Sequence, residues 1–234
     1  MAKILKVSVV ITAAGRAVRM KSVKNKHLME LAGKPILVHS IEAFEKNKMI
    51  NEIILVSTSE RIKEYEKLIS KYKLKKVKKI VVGGDERQKS VFNGLKETSP
   101  DSEIVLIHNG ANPLVTQKEI EDCISASKQV GAAVVGIPEK NTIKVVEENG
   151  FVIGTLERRK LYAVQTPQGM KREIALEAFA KAELEQFNGT DDVQLVERLG
   201  KRVKLVIGNY KNFKITTLED LVMAEAILRE LGKK

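Results

Sequence analysis

Ile11-Thr12-Ala13-Ala14-Gly15-Arg16-Ala17-Val18-Arg19-Met20, with Lys26 six residues further on, is the stretch around which the chain is arranged. Val7 to Ile11 reads as a short apolar, β-branched strand, and Ala13-Ala14-Gly15 supplies small residues where the backbone must turn. Such a loop brings backbone N–H groups close to phosphate oxygens, because no bulky side chain blocks the approach. Arg19 can then fork onto phosphate oxygens while Lys26 acts as a mobile point charge, the pairing expected where a polyphosphate is held and neutralised during transfer. Taken alone, the stretch reads equally well as a strand and loop with solvated basic residues.

Outward from it, strand and helix signals alternate. Pro35 to Asn47 has helical spacing, Ile53 to Val56 is a buried strand, and Ser59 is expected to cap a helix running to Tyr72. Ile80 to Val82 is a strand ending in Gly83-Gly84, Arg87 to Leu95 a helix and Ile104 to Ile107 a strand. Gln117 to Val130 reads as a helix closed by Gly131, and Ala132 to Val135 as a further strand. Short apolar strands separated by amphipathic helices predict an α/β fold with a mostly parallel sheet covered by helices on both faces. Ligands in such sheets bind beyond the strand carboxyl ends, where the loops carrying Gly15, Gly83-Gly84 and His108 all fall.

Residues 138–163 break the rhythm. Thr142 to Val146 and Phe151 to Thr155 flank Asn149-Gly150, a hairpin signal, so a protruding β-arm is expected. Helices resume at Lys171 to Ala182 and Asp191 to Leu199, followed by a strand at Val203 to Ile207. Thr217, with Asp220 three residues on, opens a last helix to Leu231. No repeat, low-complexity tract or linker divides the chain, and residues 1–234 are read as one domain.

The 234 residues carry 41 Lys and Arg against 30 Asp and Glu, a formal charge of +11 that favours an acidic partner. Aromatic residues make up only 4% and tryptophan is absent, so stacking platforms for single-stranded nucleic acid are not evident and nucleic acid is disfavoured. Cys123 is the single cysteine, which excludes an intramolecular disulfide and a cysteine cluster; it is read as a core thiol. With neither a secretory leader nor a membrane-length apolar run, a soluble cytoplasmic protein without membrane association is expected.

Two common nucleotide motifs fail. Gly15-Arg16-Ala17 is not G-x-G-x-x-G, and no G-x-x-x-x-G-K-[ST] occurs. What remains is Gly83-Gly84-Asp85-Glu86-Arg87-Gln88-Lys89-Ser90-Val91, which sets a diglycine, a carboxylate, a guanidinium and a hydroxyl in one turn of chain, suited either to reading a base edge or to capping a helix.

With Ala13-Ala14-Gly15, Arg19-Met20 and Lys26, the blocks Gly83-Gly84-x-x-Arg87-x-x-Ser90-Val91, His108-x-x-Ala111-x-Pro113, Asn141-Thr142-Ile143-Lys144, Gln165-Thr166-Pro167-Gln168, Thr190-Asp191-Asp192 and Asn212-Phe213-Lys214-Ile215-Thr216 resemble the 2-C-methyl-D-erythritol 4-phosphate cytidylyltransferase family. The resemblance runs in order from about residue 7 to the last helix. It implies a Rossmann-like nucleotidyltransferase fold, a homodimer joined through the arm, and Mg²⁺-dependent transfer of CMP from CTP to a sugar-alcohol phosphate in non-mevalonate isoprenoid synthesis.

Carried onto this chain, the resemblance gives Arg19 and Lys26 to the triphosphate, and Ala13, Ala14, Gly15, Gly83, Gly84, Asp85, Arg87 and Ser90 to the nucleotide. Asn109, Ala111, Thr142, Arg158 and Lys214 fall to the acceptor side, Thr142 and Arg158 in part from the other subunit, with Arg158 and Lys214 counted among the catalytic cations. The chain departs from the family at Ala17, Asn25, His27, Asn109 and Asn112. Asn109 replaces an aspartate implicated with the metal, and an amide lacks the charge that favours Mg²⁺, which leaves the metal ligands unknown. Two alternatives stay open: a cytidylyltransferase for another polyol phosphate such as ribitol 5-phosphate, and a catalytically impaired nucleotide-binding homologue.

Overall fold

The computed structural model describes residues 5–15 and 25–232. Strand β1 (Val7–Thr12) is followed by a small hairpin, β2 (Glu30–Leu31) and β3 (Lys34–Pro35), then α1 (Ile36–Lys46), β4 (Glu52–Ser57), α2 (Ile62–Lys71) and β5 (Val77–Val82). Next come α3 (Arg87–Lys96), β6 (Ile104–Asn109), α4 (Gln117–Val130), β7 (Ala132–Pro138), and the arm strands β8 (Lys144–Val146) and β9 (Val152–Thr155). The chain ends with β10 (Tyr162–Lys171), α5 (Arg172–Leu184), α6 (Asp192–Arg198), β11 (Lys204–Ile207) and α7 (Leu218–Leu231).

The central sheet has the order β11-β7-β10-β6-β1-β4-β5. β1 pairs in parallel with both β4 and β6, and only β10, between β6 and β7, runs antiparallel to its neighbours. Because side chains alternate across a strand, an unbroken apolar run feeds two cores at once. Val7, Val9 and Ile11 of β1 pack with Leu37 and Phe44 of α1, Tyr65 of α2 and Ile120 and Ile124 of α4. Val10, between them, faces the other way, toward Val91 and Leu95 of α3 and the inner faces of α5 and α6. Cys123 lies in the first core, fully buried, and burial pushes its thiol up to about 12, so it packs as an apolar residue. A third cluster, around Leu31, Ile36, Ile215 and Ala224, seats α7.

Most expected elements form, with local differences. Ser59 does not cap the α-helix: it opens a 3₁₀ turn, Ser59–Arg61, its hydroxyl bonds to Glu60 Oε1, and α2 begins only at Ile62. Thr217 and Asp220 do form a capping box, and Thr116 with Glu119 forms another at the start of α4. The Asn149-Gly150 turn joins β8 to β9 in a short antiparallel ribbon. Missing from the sequence reading are the two-residue strands β2 and β3 and, in the central sheet, β10. Its interior holds Thr166-Pro167, joined by a cis peptide, and a proline cannot donate to the ladder. The sheet accommodates it with an irregularity between Val164 and Gln168, where the register against β7 shifts.

His108, at the end of β6, fastens this strand. Its Nδ1 accepts from the Thr166 hydroxyl at 2.9 Å, and its Nε2, which must then carry the proton, donates to the Asn112 carbonyl at 3.0 Å. Phe44 meets the ring edge-on with centroids 4.8 Å apart. No helix of the described residues is long and apolar enough to cross a membrane.

Two outcomes follow from this packing. A Cβ on Gly94 of α3 would stand 2.5 Å from Val10 Cγ1 and 2.8 Å from Val56 Cγ2. Overpacking of this kind costs about 1–3 kcal/mol, more than the 0.5–1 kcal/mol that alanine returns in a helix, so Gly94→Ala lowers the urea midpoint with an unchanged m-value. Burial holds the His108 imidazole down to about 4 from 6.5, so the unfolded chain binds the extra proton between those values. Stability is therefore complete above about pH 6.5 and declines as pH falls toward 4, and thermal midpoints of His108→Gln should show a shallower decline than the parent protein between about pH 7 and 5.

Candidate active site

The carboxyl ends of β1, β4, β5 and β6 open onto one cleft of about 620 Å³. Parallel pairing puts them on the same edge, as the doubly wound rule requires. β1 contributes Thr12, Ala14 and Gly15; β4 contributes Ser57, Thr58, Ser59 and Glu60; β5 contributes Val82 and the Gly83-Gly84 turn with Asp85, Glu86, Arg87 and Ser90. Asn109 and Ala111 close the wall from β6, and Lys26, His27 and Lys214 complete it. The volume lies in the range of small-molecule sites, about 300–1,000 Å³.

The diglycine turn is built to lie flat. Gly83 N donates to the Ser57 carbonyl at 2.8 Å, and a Cβ there would stand 2.7 Å from Ser90 Oγ and 2.9 Å from the Ala14 Cβ, so glycine alone lets this turn approach the end of β1. The Ser90 hydroxyl accepts from Gly84 N at 3.0 Å and sits 3.3 Å from Gly84 O. It braces the turn. Ala13, by contrast, is buried in the core beneath the loop, and its N–H donates to the Val56 carbonyl at 2.7 Å.

The opposite wall is cationic. His27 is 3% exposed, and burial, followed by the charges of Lys26, Arg61 and Lys214, holds its imidazole down to about 3. It is neutral at working pH. The larger part of the penalty for its protonation is the loss of water on burial, and the three nearby cations add to it. Asn25 and His27 themselves do not face a ligand as a pair: Asn25 Oδ1 accepts from His27 N and His27 Nδ1, both at 3.1 Å.

Behind the β5 turn, Arg87 is spoken for. Its guanidinium makes a two-pronged pair with Asp192, Nη1–Oδ1 and Nη2–Oδ2 both 2.7 Å, and Asp192 is 2% exposed. The N-terminus of α6 that carries Asp192 is held in turn by Gln168 of β10, whose Oε1 accepts from Asp192 N and Val193 N at 3.0 and 2.9 Å. Arg87 Nε donates to Asn109 Oδ1 at 3.4 Å. Asn112 turns inward, 3% exposed, with its N–H on the Asn109 carbonyl.

Lys214 arrives on a loop fixed from three sides. Asn212 Nδ2 donates to the Thr166 carbonyl at 2.8 Å, Asn209 N to Glu119 Oε1 at 2.8 Å, and Ile215 N to the Ala111 carbonyl at 2.8 Å. Thr142 and Arg158 are not brought to this cleft within the chain: both are exposed on the arm, and Arg158 Nη1 donates to the Lys140 carbonyl at 3.1 Å. Arg19 lies outside the described residues, as does Ala17. Among the described residues no group of three or more His, Cys, Asp or Glu is placed to hold a metal ion.

Sequence reasoning did not single out Ser57, Thr58, Ser59 and Glu60 as cleft residues, nor the Arg87–Asp192 pair. The first group was detectable once β4 was placed beside β1, since parallel neighbours must deliver their following loops to one edge. The ion pair joins residues 105 apart and carries no local signal.

The profile of the IspD family, 2-C-methyl-D-erythritol 4-phosphate cytidylyltransferase, matches residues 7–230. A relative of that name from Caldanaerobacter subterraneus is 50% identical over 228 residues, 97% of this chain and 100% of its own length. Another from Halalkalibacterium halodurans is 48% identical over 227 residues, 97% and 99% of the two chains. Among solved structures, the 4-diphosphocytidyl-2C-methyl-D-erythritol synthase of Anaerococcus prevotii superposes with a TM-score of 0.85 at 32% identity, covering 96% of each chain. The cytidylyltransferase of Thermus thermophilus gives 0.79 at 30% identity, covering 96% of this chain and 100% of that one. With nearly its whole length matched in sequence and in fold, the chain belongs to the 2-C-methyl-D-erythritol 4-phosphate cytidylyltransferase family.

Proposed function

We propose that this cytidylyltransferase transfers CMP from CTP to 2-C-methyl-D-erythritol 4-phosphate, releasing pyrophosphate, as a cytoplasmic step of isoprenoid precursor synthesis. The observation that carries the reading is the convergence of Lys26 and Lys214 with the Gly15 and Gly83-Gly84 loops on one cleft. The nucleotide lies across the β1 and β5 loops, with its triphosphate toward Lys26 and its base toward the Gly83 to Ser90 turn. Lys214 stands on the acceptor side. A phosphate oxygen of the acceptor attacks the α-phosphorus, the bond from that phosphorus to the bridging oxygen of the β-phosphate breaks, and pyrophosphate leaves with the electron pair. The attacking phosphate is already anionic, so the step needs positioning and charge neutralisation more than a general base. The two histidines nearest the site suit this, since burial keeps both His27 and His108 neutral.

Mg²⁺ enters in this reading with the triphosphate. The carboxylates of the cleft lining, Glu60, Asp85 and Glu86, are not gathered around one point, Asp192 behind the cleft is already paired with Arg87, and Asn109 offers a neutral oxygen that also faces that guanidinium. These residues do not fit a cage for a resident metal, which calls for several ionised oxygens around one point.

The arm supplies the remaining parts from a second copy. Phe151, Val152 and Ile153 are 71%, 58% and 60% exposed, an apolar ribbon that two strands cannot support alone. Packing across a two-fold axis buries it and carries Thr142 and Arg158 toward the partner's cleft.

Two measurements test these readings. Pyrophosphate release is followed with CTP, ATP, GTP and UTP against 2-C-methyl-D-erythritol 4-phosphate and ribitol 5-phosphate. CTP with the methylerythritol substrate should give the highest kcat/KM, and Lys26→Ala should lower kcat by about 100-fold or more without altering the melting temperature. Preference for ribitol 5-phosphate would move the acceptor assignment, and CTP binding without turnover on any acceptor would indicate an impaired homologue. Sedimentation at micromolar concentration should give a dimer, and a monomer when residues 140–156 are replaced by a short Gly-Ser linker; a monomeric parent protein contradicts the arm's assignment.

A further inference from the structure

Ala13 and Asn25, twelve residues apart in the chain, are both touched by one hydroxyl. Tyr65 of α2 is 0% exposed; its OH donates to the Ala13 carbonyl at 3.2 Å and accepts from Asn25 Nδ2 at 3.0 Å. The other end of the Asn25 amide collects His27 N and His27 Nδ1. Lys26 sits between these two anchored residues, in a 3₁₀ turn closed by Leu28 N on the Asn25 carbonyl at 2.9 Å. We infer that Tyr65, acting through Asn25, is a positioning residue for Lys26, fixing the lysine-bearing turn against the end of β1.

The inference rests on the proposed role of Lys26 at the triphosphate. Packing alone does not call for a hydroxyl here, since the ring is enclosed by apolar neighbours and phenylalanine would fill the same space. The hydroxyl is the group of Tyr65 that joins α2 to both Ala13 and Asn25. Burial raises its pKa, so it stays protonated and keeps donating to Ala13. Asn25 uses its donor and its acceptor ends on different partners, which fixes the orientation of the amide and, through His27 N, the direction in which the chain enters the turn. A lysine has four flexible carbons, so the point from which it starts decides how much of its reach falls on the reacting phosphates. Displacement of a catalytic group by about 1 Å costs up to 100-fold in rate.

The test is a double-mutant cycle of Tyr65→Phe with Lys26→Ala, read in two ways. In turnover, Tyr65→Phe should lower kcat/KM for CTP by about 10- to 100-fold, and add nothing in the Lys26→Ala background. In calorimetry with inorganic tripolyphosphate, Tyr65→Phe should weaken binding by no more than Lys26→Ala does, and the double variant should bind as Lys26→Ala does. Equal fold-losses for Tyr65→Phe in the presence and absence of Lys26 would show a general structural role and overturn the inference, as would an unchanged kcat/KM together with unchanged tripolyphosphate affinity. A parent protein without turnover would remove the proposed function instead, and the tripolyphosphate cycle would still decide the role of Tyr65. If Tyr65→Phe does not fold, Asn25→Ala, which cuts the same chain of hydrogen bonds, takes its place in the cycle with the same expected non-additivity.

Discussion

The structure depends on the two-sided parallel pairing of β1. A strand that exchanges hydrogen bonds with β4 on one side and β6 on the other is buried on both faces, and its residues from Val7 to Ile11 are correspondingly apolar or small. The pairing fixes direction as well as burial. With β5 parallel to β4, four carboxyl ends must open toward the same edge, and the Ala13 to Gly15 loop, the Ser57 to Glu60 segment, the diglycine turn and Asn109 meet there without any further device. The cleft is a consequence of strand direction, and its chemistry follows from which side chains the loops carry.

The antiparallel strand β10 has a different task. It delivers Thr166 to His108, Gln168 to the start of α6 and the Thr166 carbonyl to Asn212, so three segments that approach the cleft are tied to a single strand. Each tie is a buried polar contact. Such contacts give modest net stabilisation when formed and cost more when one partner is lost, so they specify position more than they add stability. Through α6 the ties continue to Asp192, Arg87 and Asn109. The polar side of the cleft is thus referred back to the sheet by an unbroken series of side chains.

The alternating strands and helices were legible because each apolar run is longer than the uncertainty of its ends, and the sheet's parallel character follows from that alternation. Thr217 with Asp220, and Asn149 with Gly150, were legible because capping and hairpin turns are local chemistry. β10 was not, since Thr166-Pro167 erases the pattern that marks a strand, and only contacts with β6 and β7 make the strand form. Ser59 was misread for a related reason: a residue with a good capping side chain is also a good loop residue, and the 3₁₀ turn it enters leads into the cleft instead of starting α2. At the site, the glycine loops and Lys26 declared themselves by type and spacing. Ser90 declared itself as a hydroxyl near a base site, while the fold shows it bracing Gly84, a role that only the three-dimensional turn defines.

Asn109 gains a physical account from its neighbours. Arg87 directs two N–H groups at Asp192, each at 2.7 Å, and its remaining Nε lies 3.4 Å from the Asn109 oxygen. An aspartate at 109 would present a second carboxylate to the same guanidinium, drawing it from the buried partner that holds it against α6, and a buried carboxylate left without its cation is costly. An amide accepts the weak Nε contact without competing. It also leaves this point of the cleft wall uncharged, in a cleft that Lys26 and Lys214 line as well. Asn109 therefore belongs with Arg87 and Asp192 as one arrangement of charge, in which a neutral group at the rim preserves an ion pair beneath it.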